Sequence, residues 1–286
     1  MDTTKHVDIK KVLQTKAPKL YKYLPSFVIN YIIRKLHQDD INLGINRQAH
    51  VFGHDFNKAG LEYVGAKMKW DGLQNIPTTG KVIIAANHPL GGLDGMALIH
   101  AVSHVRKDTV FFVNDILKNL KNYGDLFVGV NKVGNTANSA LKVVVDEYST
   151  EKAILVFPAG LVSRMQKGKV RDLEWKKSFV SKSLQYGSPI IPTYITGQNS
   201  NFFYKFAMWR KRLGIKANIE MFFLPDEMFS QTNKDIHIQF GPAIFPDVFD
   251  ASKTPKQWAQ VVKAYIYSDH FNKGIPFKDY IKDHKH

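Results

Sequence analysis

From residue 81 onward the chain alternates short apolar runs with amphipathic stretches, and this alternation limits its possible folds more than any other feature. Runs at 82–86, 109–113, 126–130, 153–157 and 190–195 read as strands, as do later ones at 218–224 and 236–240. Stretches at 95–105, 137–148, 174–186 and 255–270 carry helical spacing. Strands alternating with helices specify an α/β fold. The expected architecture is a mixed, largely parallel sheet flanked by helices, with the early strands parallel.

Residues 1–20 are charged, weakly periodic and interrupted by Pro18, and read as a loosely held basic arm. In LPSFVINYIIRKLHQ, Pro25 and Ser26 open a helix on which Ile29, Ile32, Ile33 and Leu36 recur at i, i+3, i+4 and i+7. With its aromatic and basic flanks that helix suits either a membrane interface or packing on the main core. The expected organisation is a basic arm and amphipathic helical segment over 1–64, an α/β domain over 65–275, and a polar tail over 276–286.

Composition narrows the chemistry. Among 286 residues there is no cysteine, which excludes disulfides, thiolate catalysis and Cys-based metal sites. The 40 Lys+Arg against 25 Asp+Glu leave a net charge of +15, which favours polyanionic partners: nucleic acid, an anionic bilayer or an acidic carrier protein. No apolar run reaches the ~18 residues of a spanning helix. The opening MDTTKHVDIKKVLQTK is too polar to read as a secretory signal.

The chemistry gathers at KVIIAANHPLGGLDGMALIHAV. A strand ends at Asn87 and His88, Pro89 stops it, Gly91 and Gly92 permit a turn, and Asp94 begins a helix. A carboxylate folded back onto the imidazole fixes its tautomer, leaving Nε2 free to take a proton from a hydroxyl. This is a serine-hydrolase triad without its serine, so the substrate brings the hydroxyl. The plainer alternative makes Asp94 an N-cap and His88 a hydrogen-bonded loop residue. The strand-end context favours the catalytic pair, because α/β folds place ligands there.

A second strand runs through AILVFPAGLVSR into Phe157, Pro158, Gly160, Ser163 and Arg164. An arginine after a glycine turn suits a carboxylate or phosphate through its bidentate fork. A third strand leads to Asn131, Lys132, Val133 and Gly134. If the strands are parallel, all three loops frame one cleft. Further along, NFFYKFAMWRKRLGIK places Phe202, Phe206, Trp209 and Leu213 at helical spacing among basic residues. Such a segment suits an anionic bilayer, an acidic carrier protein, or a helix whose aromatics fill the core.

NHPLGGLDG, FPAGLVSR and SPIIPTYITG resemble, in order and spacing, the motifs of the glycerolipid (lysophosphatidate-type) acyltransferase family. The likeness covers roughly residues 65–245. It is nearest to the bacterial hemolysin-labelled branch, some of whose members O-acylate lyso-amino-acid lipids of the ornithine or glycine type. The resemblance implies that His88 is the general base and Asp94 its orienting partner. It implies that Phe157, Pro158 and Gly160 belong to the third motif and Pro192 to the fourth. The donor implied is a thioester of acyl carrier protein or coenzyme A, with no cofactor and no metal. The acceptor implied is a lyso-lipid, and the implied setting is peripheral, on the inner face of the cytoplasmic membrane.

Three positions depart from the family pattern. Five residues rather than four separate His88 from Asp94, Ala159 replaces a glutamate, and Lys132 stands where an arginine is usual. The last two point to an acceptor head group other than simple glycerol phosphate. A non-catalytic nucleic-acid-binding protein is permitted by the charge, but RNP, KH and zinc-finger patterns are missing. A serine hydrolase lacks its G-x-S-x-G elbow.

Overall fold

The strand Val82–Ala86 is buried on both faces, as the centre of a parallel sheet requires. The computed structural model of the chain describes residues 5–16, 18–113, 115–118, 120–129, 136–215 and 218–284. Among these the strands are β1 (Lys67–Asp71), β2 (Val82–Ala86), β3 (Thr109–Val113), β4 (Phe127–Gly129) and β5 (Ala153–Val156). They continue with β6 (Arg164–Gln166), β7 (Lys169–Arg171), β8 (Ile190–Ile195) and β9 (Asp235–Phe240). Seven of them form one sheet in the order β1-β9-β8-β2-β5-β3-β4. The five from β8 to β4 run parallel; β9 pairs antiparallel with β8 and parallel with β1. The expected mixed, largely parallel sheet is therefore the sheet observed. β6 and β7 form a separate hairpin.

An N-terminal helical run comprises α1 (Ile9–Lys16), α2 (Pro18–Tyr23), α3 (Ser26–Lys35), α4 (Gln38–Arg47) and α5 (Gly53–Val64). Between strands lie α6 (Gly92–Val102), α7 (Asp115–Lys118), α8 (Thr136–Ser149) and α9 (Ser178–Tyr186). Helices α10 (Asn201–Arg212) and α11 (Leu224–Phe229) separate β8 from β9. The chain closes with α12 (Pro255–Ile266), α13 (Asp269–Asn272) and α14 (Phe277–Asp283).

Period-two alternation splits the core in two. Val82, Ile84 and Ala86 of β2 face one layer with Leu93, Leu98 and Val102 of α6 and Leu61 of α5. Ile83 and Ala85 face the other, with Phe179 of α9 and Trp258, Val262 and Tyr265 of α12. Because β2, β5 and β8 are parallel neighbours, their C-terminal ends share one edge. That edge carries the His88 turn and the loop after Val156.

Several local expectations are corrected. The segment 218–224 is not a strand: Ile219–Phe223 is a 3-10 turn feeding α11. Glu220 is wholly buried there between two arginines, and Pro225, which lacks an N–H, sits in the first turn of α11. The described part of the basic arm is helical over Ile9–Lys16 and docked, for Asn42 accepts from Val7 N–H and donates to its carbonyl, both at 2.8 Å. The Gln38 side chain similarly accepts from Ile9 N–H at 2.8 Å. Such contacts between distant segments leave no periodic signature. On α3, Ile29 is buried while Phe27 and Tyr31 stay in solvent.

The closing segment, expected as a polar tail, is helical over Phe277–Asp283 with Phe277 and Tyr280 buried. The stretch expected at 174–186 becomes helical only from Ser178, because Trp175 inserts fully into the core ahead of it. The expected 255–270 helix breaks after Ile266 and restarts as α13. The edge strand β1 and the hairpin β6–β7 were not anticipated.

Candidate active site

Beyond Ala86 the chain leaves β2 through Asn87, whose amide closes the end of the sheet. It donates to the Ile195 carbonyl at 2.9 Å and accepts from the Ile195 N–H at 2.6 Å. This fixes the starting point of the turn. At Gly91, φ is +86°, a conformation that calls for glycine, and a Cβ would press on the Leu224 side chain at 3.0 Å. Helix α6 starts at Gly92, three residues earlier than spacing indicates, which places Asp94 within its first turn.

From there Asp94 reaches back. Its Oδ2 accepts from His88 Nδ1 at 2.9 Å, Leu90 N–H at 2.7 Å and Gly91 N–H at 3.0 Å. The residue is wholly buried, and Oδ1 has no hydrogen-bond partner among the described residues. Burial pushes the Asp94 carboxyl above the ordinary carboxylate value, while His88 and the two backbone donors pull it back. Asp94 is therefore not the N-cap, a place Gly91 takes; it is the third residue of the helix, where one oxygen ties down the turn and holds the imidazole.

The imidazole is held on a second side. The His88 ring stacks on Phe157, with centroids 4.1 Å apart and planes 13° from parallel. Phe157 follows β5, and its edge-to-face contact with Phe111 carries an aromatic surface from the histidine toward β3. The His88 side chain is 17% exposed, so the assembly opens to solvent at the imidazole.

The remaining expected residues divide. Phe157 lies at the imidazole, with Pro158 and Gly160 in the turn after it, where Gly160 N–H is taken by the Phe157 carbonyl at 2.9 Å. Ser163 N–H donates to the His88 carbonyl at 2.7 Å, so the two loops are joined through their backbones. Its side chain is buried and points to Asp172. Arg164 turns toward Glu220, with Nη2 to Oε1 at 2.7 Å. Gly92 is exposed beside open space. Lys132 lies outside the described residues.

Asp172 was not foreseen. Buried between the two loops, its Oδ1 accepts from His88 N–H at 3.1 Å and from Ser163 Oγ at 2.5 Å. Its Oδ2 accepts from Trp175 Nε1 at 2.7 Å. One carboxylate thus pins the histidine backbone, the second loop and the core tryptophan together. In DLEW, two acids alternate with two apolar residues, and nothing in that pattern distinguishes Asp172 from Glu174.

The site is a paired histidine and aspartate at a parallel strand end in an α/β frame, and the hydroxyl of Ser163, whose backbone joins the same turn, is directed to Asp172. The chain belongs to the acyltransferase family, whose model, described as Acyltransferase, matches residues 11–272. It is similar to the lyso-glycine lipid O-acyltransferase of Bacteroides thetaiotaomicron, 44% identical over 262 residues covering 91% of this chain and 96% of that one. The lyso-glycine lipid O-acyltransferase of Phocaeicola vulgatus is 42% identical, with coverage of 91% and 94%. Among solved structures it resembles the 1-acyl-sn-glycerophosphate acyltransferase PlsC of Thermotoga maritima at 15% identity and a TM-score of 0.47. That match covers 84% of this chain and 88% of the other.

Proposed function

We infer that the protein transfers a fatty acyl chain from a thioester to the hydroxyl of a lyso-amino-acid lipid of the lyso-glycine type. The observation that carries this is the His88 Nδ1 to Asp94 Oδ2 contact at 2.9 Å, in a chain over 40% identical to two named lyso-glycine lipid O-acyltransferases. With Nδ1–H committed to Asp94, Nε2 is the basic nitrogen. It takes the acceptor's hydroxyl proton as that oxygen attacks the thioester carbonyl. The C–O bond forms, the C–S bond breaks, and the departing thiolate takes the proton back from the imidazolium.

General-base help is worth about 10²–10⁴-fold, so positioning and oxyanion stabilisation supply the remainder. Gly91 N–H is committed to Asp94 and Gly160 N–H to Phe157. Gly92 opens α6, where backbone donors lack intrahelical acceptors, and nothing stands where its Cβ would be. Its N–H is the oxyanion donor in this reading. The half-buried rings of Phe157 and Phe111 form the apolar wall beside the acyl chain.

The donor is acyl carrier protein or acyl coenzyme A, both anionic partners for a chain of net charge +15. No cofactor, metal or nucleic acid enters the scheme. No helix among the described residues is long and apolar enough to cross a membrane. In this reading the enzyme works peripherally, on the inner face of the cytoplasmic membrane, in membrane lipid synthesis.

The test supplies purified protein with labelled acyl carrier protein or acyl coenzyme A and a panel of lyso-lipids. Transfer to lyso-glycine lipid ahead of lysophosphatidate is expected. A strong lysophosphatidate preference refutes the acceptor assignment, and activity of His88→Ala close to that of the wild type refutes the base.

A further inference from the structure

Helix α10 turns an apolar face outward. Phe203 and Tyr204 pack inward with Val162 in a small third core. Phe202, Trp209 and Leu213 stay in solvent at 55%, 65% and 73% exposure, and Phe222 on the adjoining 3-10 turn is exposed as well. Together with Phe206 and Ile215, the three α10-face residues line an open groove. Large apolar side chains gathered across neighbouring elements mark a surface that meets a partner.

The charge around this face chooses the partner. No acidic residue occurs from Asn201 to Ile219, while Lys205, Lys211 and Arg212 are exposed. Apolar side chains flanked by unopposed cations match a layer that is apolar below and anionic at its rim. Trp209 amid basic residues is the arrangement of a helix lying at headgroup level. At 12 residues, α10 is too short to span a bilayer.

The same face is fastened to the catalytic turn. Buried Glu220 pairs with Arg210 of α10 and with Arg164, both at 2.7 Å. Arg164 directly follows Ser163, whose N–H donates to the His88 carbonyl. Leu224, which starts α11, lies against Gly91.

We propose that the outward face of α10 and the adjoining turn at Ile219–Phe223 seat the protein on a bilayer containing anionic lipid, so that the acceptor reaches His88 from the membrane plane. The proposal rests on the lyso-lipid acyltransferase reading for its substrate, and on the exposed aromatic and basic residues alone for its surface.

The test uses the full chain with vesicles of phosphatidylcholine alone, or with phosphatidylglycerol added. Wild-type protein is expected to sediment with the anionic vesicles, less so at high salt. Trp209→Ala/Leu213→Ala is expected to bind them about tenfold more weakly, because two exposed apolar anchors are removed. Lys205→Glu/Lys211→Glu should also weaken binding and flatten its salt dependence. Trp209 emission should shift to the blue and be quenched by lipid with brominated chains; the other tryptophans, Trp70, Trp175 and Trp258, are partly or fully buried.

Unchanged circular dichroism and wild-type turnover of a micelle-dispersed lyso-lipid by the Trp209/Leu213 variant establish that docking alone was lost. Equal vesicle binding by wild type and that variant overturns the proposal. So does absence of quenching, or saturable binding to an acidic protein without binding to vesicles. Vesicle binding through Trp209 in a protein that acylates no lyso-lipid upholds the docking face and refutes only the acyltransferase reading.

Discussion

His88 lies flat on Phe157, 4.1 Å between ring centroids, while its opposite constraint comes from Asp94 through Nδ1. The stack resists tilting of the ring and the hydrogen bond resists spinning. Phe157→Leu keeps apolar volume but removes the flat partner. It is expected to lower kcat by roughly fivefold, equivalent to ~1 kcal/mol of aromatic contact, with little change in KM. An unchanged kcat would show that the stack contributes nothing to positioning.

His88→Ala is expected to cost about 10²–10⁴ in kcat at unaltered fold, since the side chain is removed from the open end of the site. Asp94→Asn should cost activity too, yet raise thermal stability at neutral pH. The folded carboxyl titrates above its ordinary value of 3.8 because it is buried. Relative to the unfolded chain, burial therefore penalises the charged form, and stability falls as pH rises from the ordinary value through the raised one. Asparagine carries no charge and escapes the penalty. A melting temperature at pH 7 below wild type would contradict the assigned sign.

Asp172 and Ser163 supply an ordered comparison. Ser163→Ala removes one donor and leaves the Asp172 carboxylate with its other partners, for an expected loss of ~1 kcal/mol. Asp172→Asn turns an amide N–H₂ toward a former donor, and is expected to lose roughly 2–3 kcal/mol and reduce kcat further. Denaturant melts and single-turnover rates on both variants test the ranking. The reverse order would mean that the carboxylate does not organise the two loops.

The N-terminal helices are attached by a titratable contact. Asp226 is partly buried, which raises its pKa, but Lys35 at 2.9 Å and His37 at 3.1 Å outweigh burial and hold it below the ordinary value. The stabilisation is complete above the unfolded value of 3.8 and is lost as pH falls through the lower folded value. Amide exchange in 26–35 should accelerate in that acid window before exchange in β2 does. Asp226→Asn should make the same helix exchange quickly at neutral pH. Simultaneous loss of protection in both elements would refute separate attachment.

Much of the sheet was legible because buried strands announce themselves locally. Val82–Ala86 and Ile190–Ile195 are short apolar runs bounded by turn residues, and those constraints act within a few positions. The histidine, the glycines and the aspartate of the site were legible for the same reason, since a strand–turn–helix brings them together over a few residues.

What stayed hidden depended on partners far away in sequence. Asp172 reads as a surface acid until Ser163, Trp175 and the His88 backbone converge on it. The run at 218–224 has strand-like composition, yet Glu220 binds Arg164 and Arg210 in the interior and the backbone follows that demand. Hydrophobic spacing along α10 established an amphipathic helix but not its orientation. Only packing of Phe203 and Tyr204 against Val162 decided that Phe202, Trp209 and Leu213 face solvent. Local pattern determined the elements and the turn from His88 to Asp94, because backbone propensity and strand or helix period act over short separations. Tertiary structure decided which faces were buried and which charges were paired, because those energies exist only once distant segments meet.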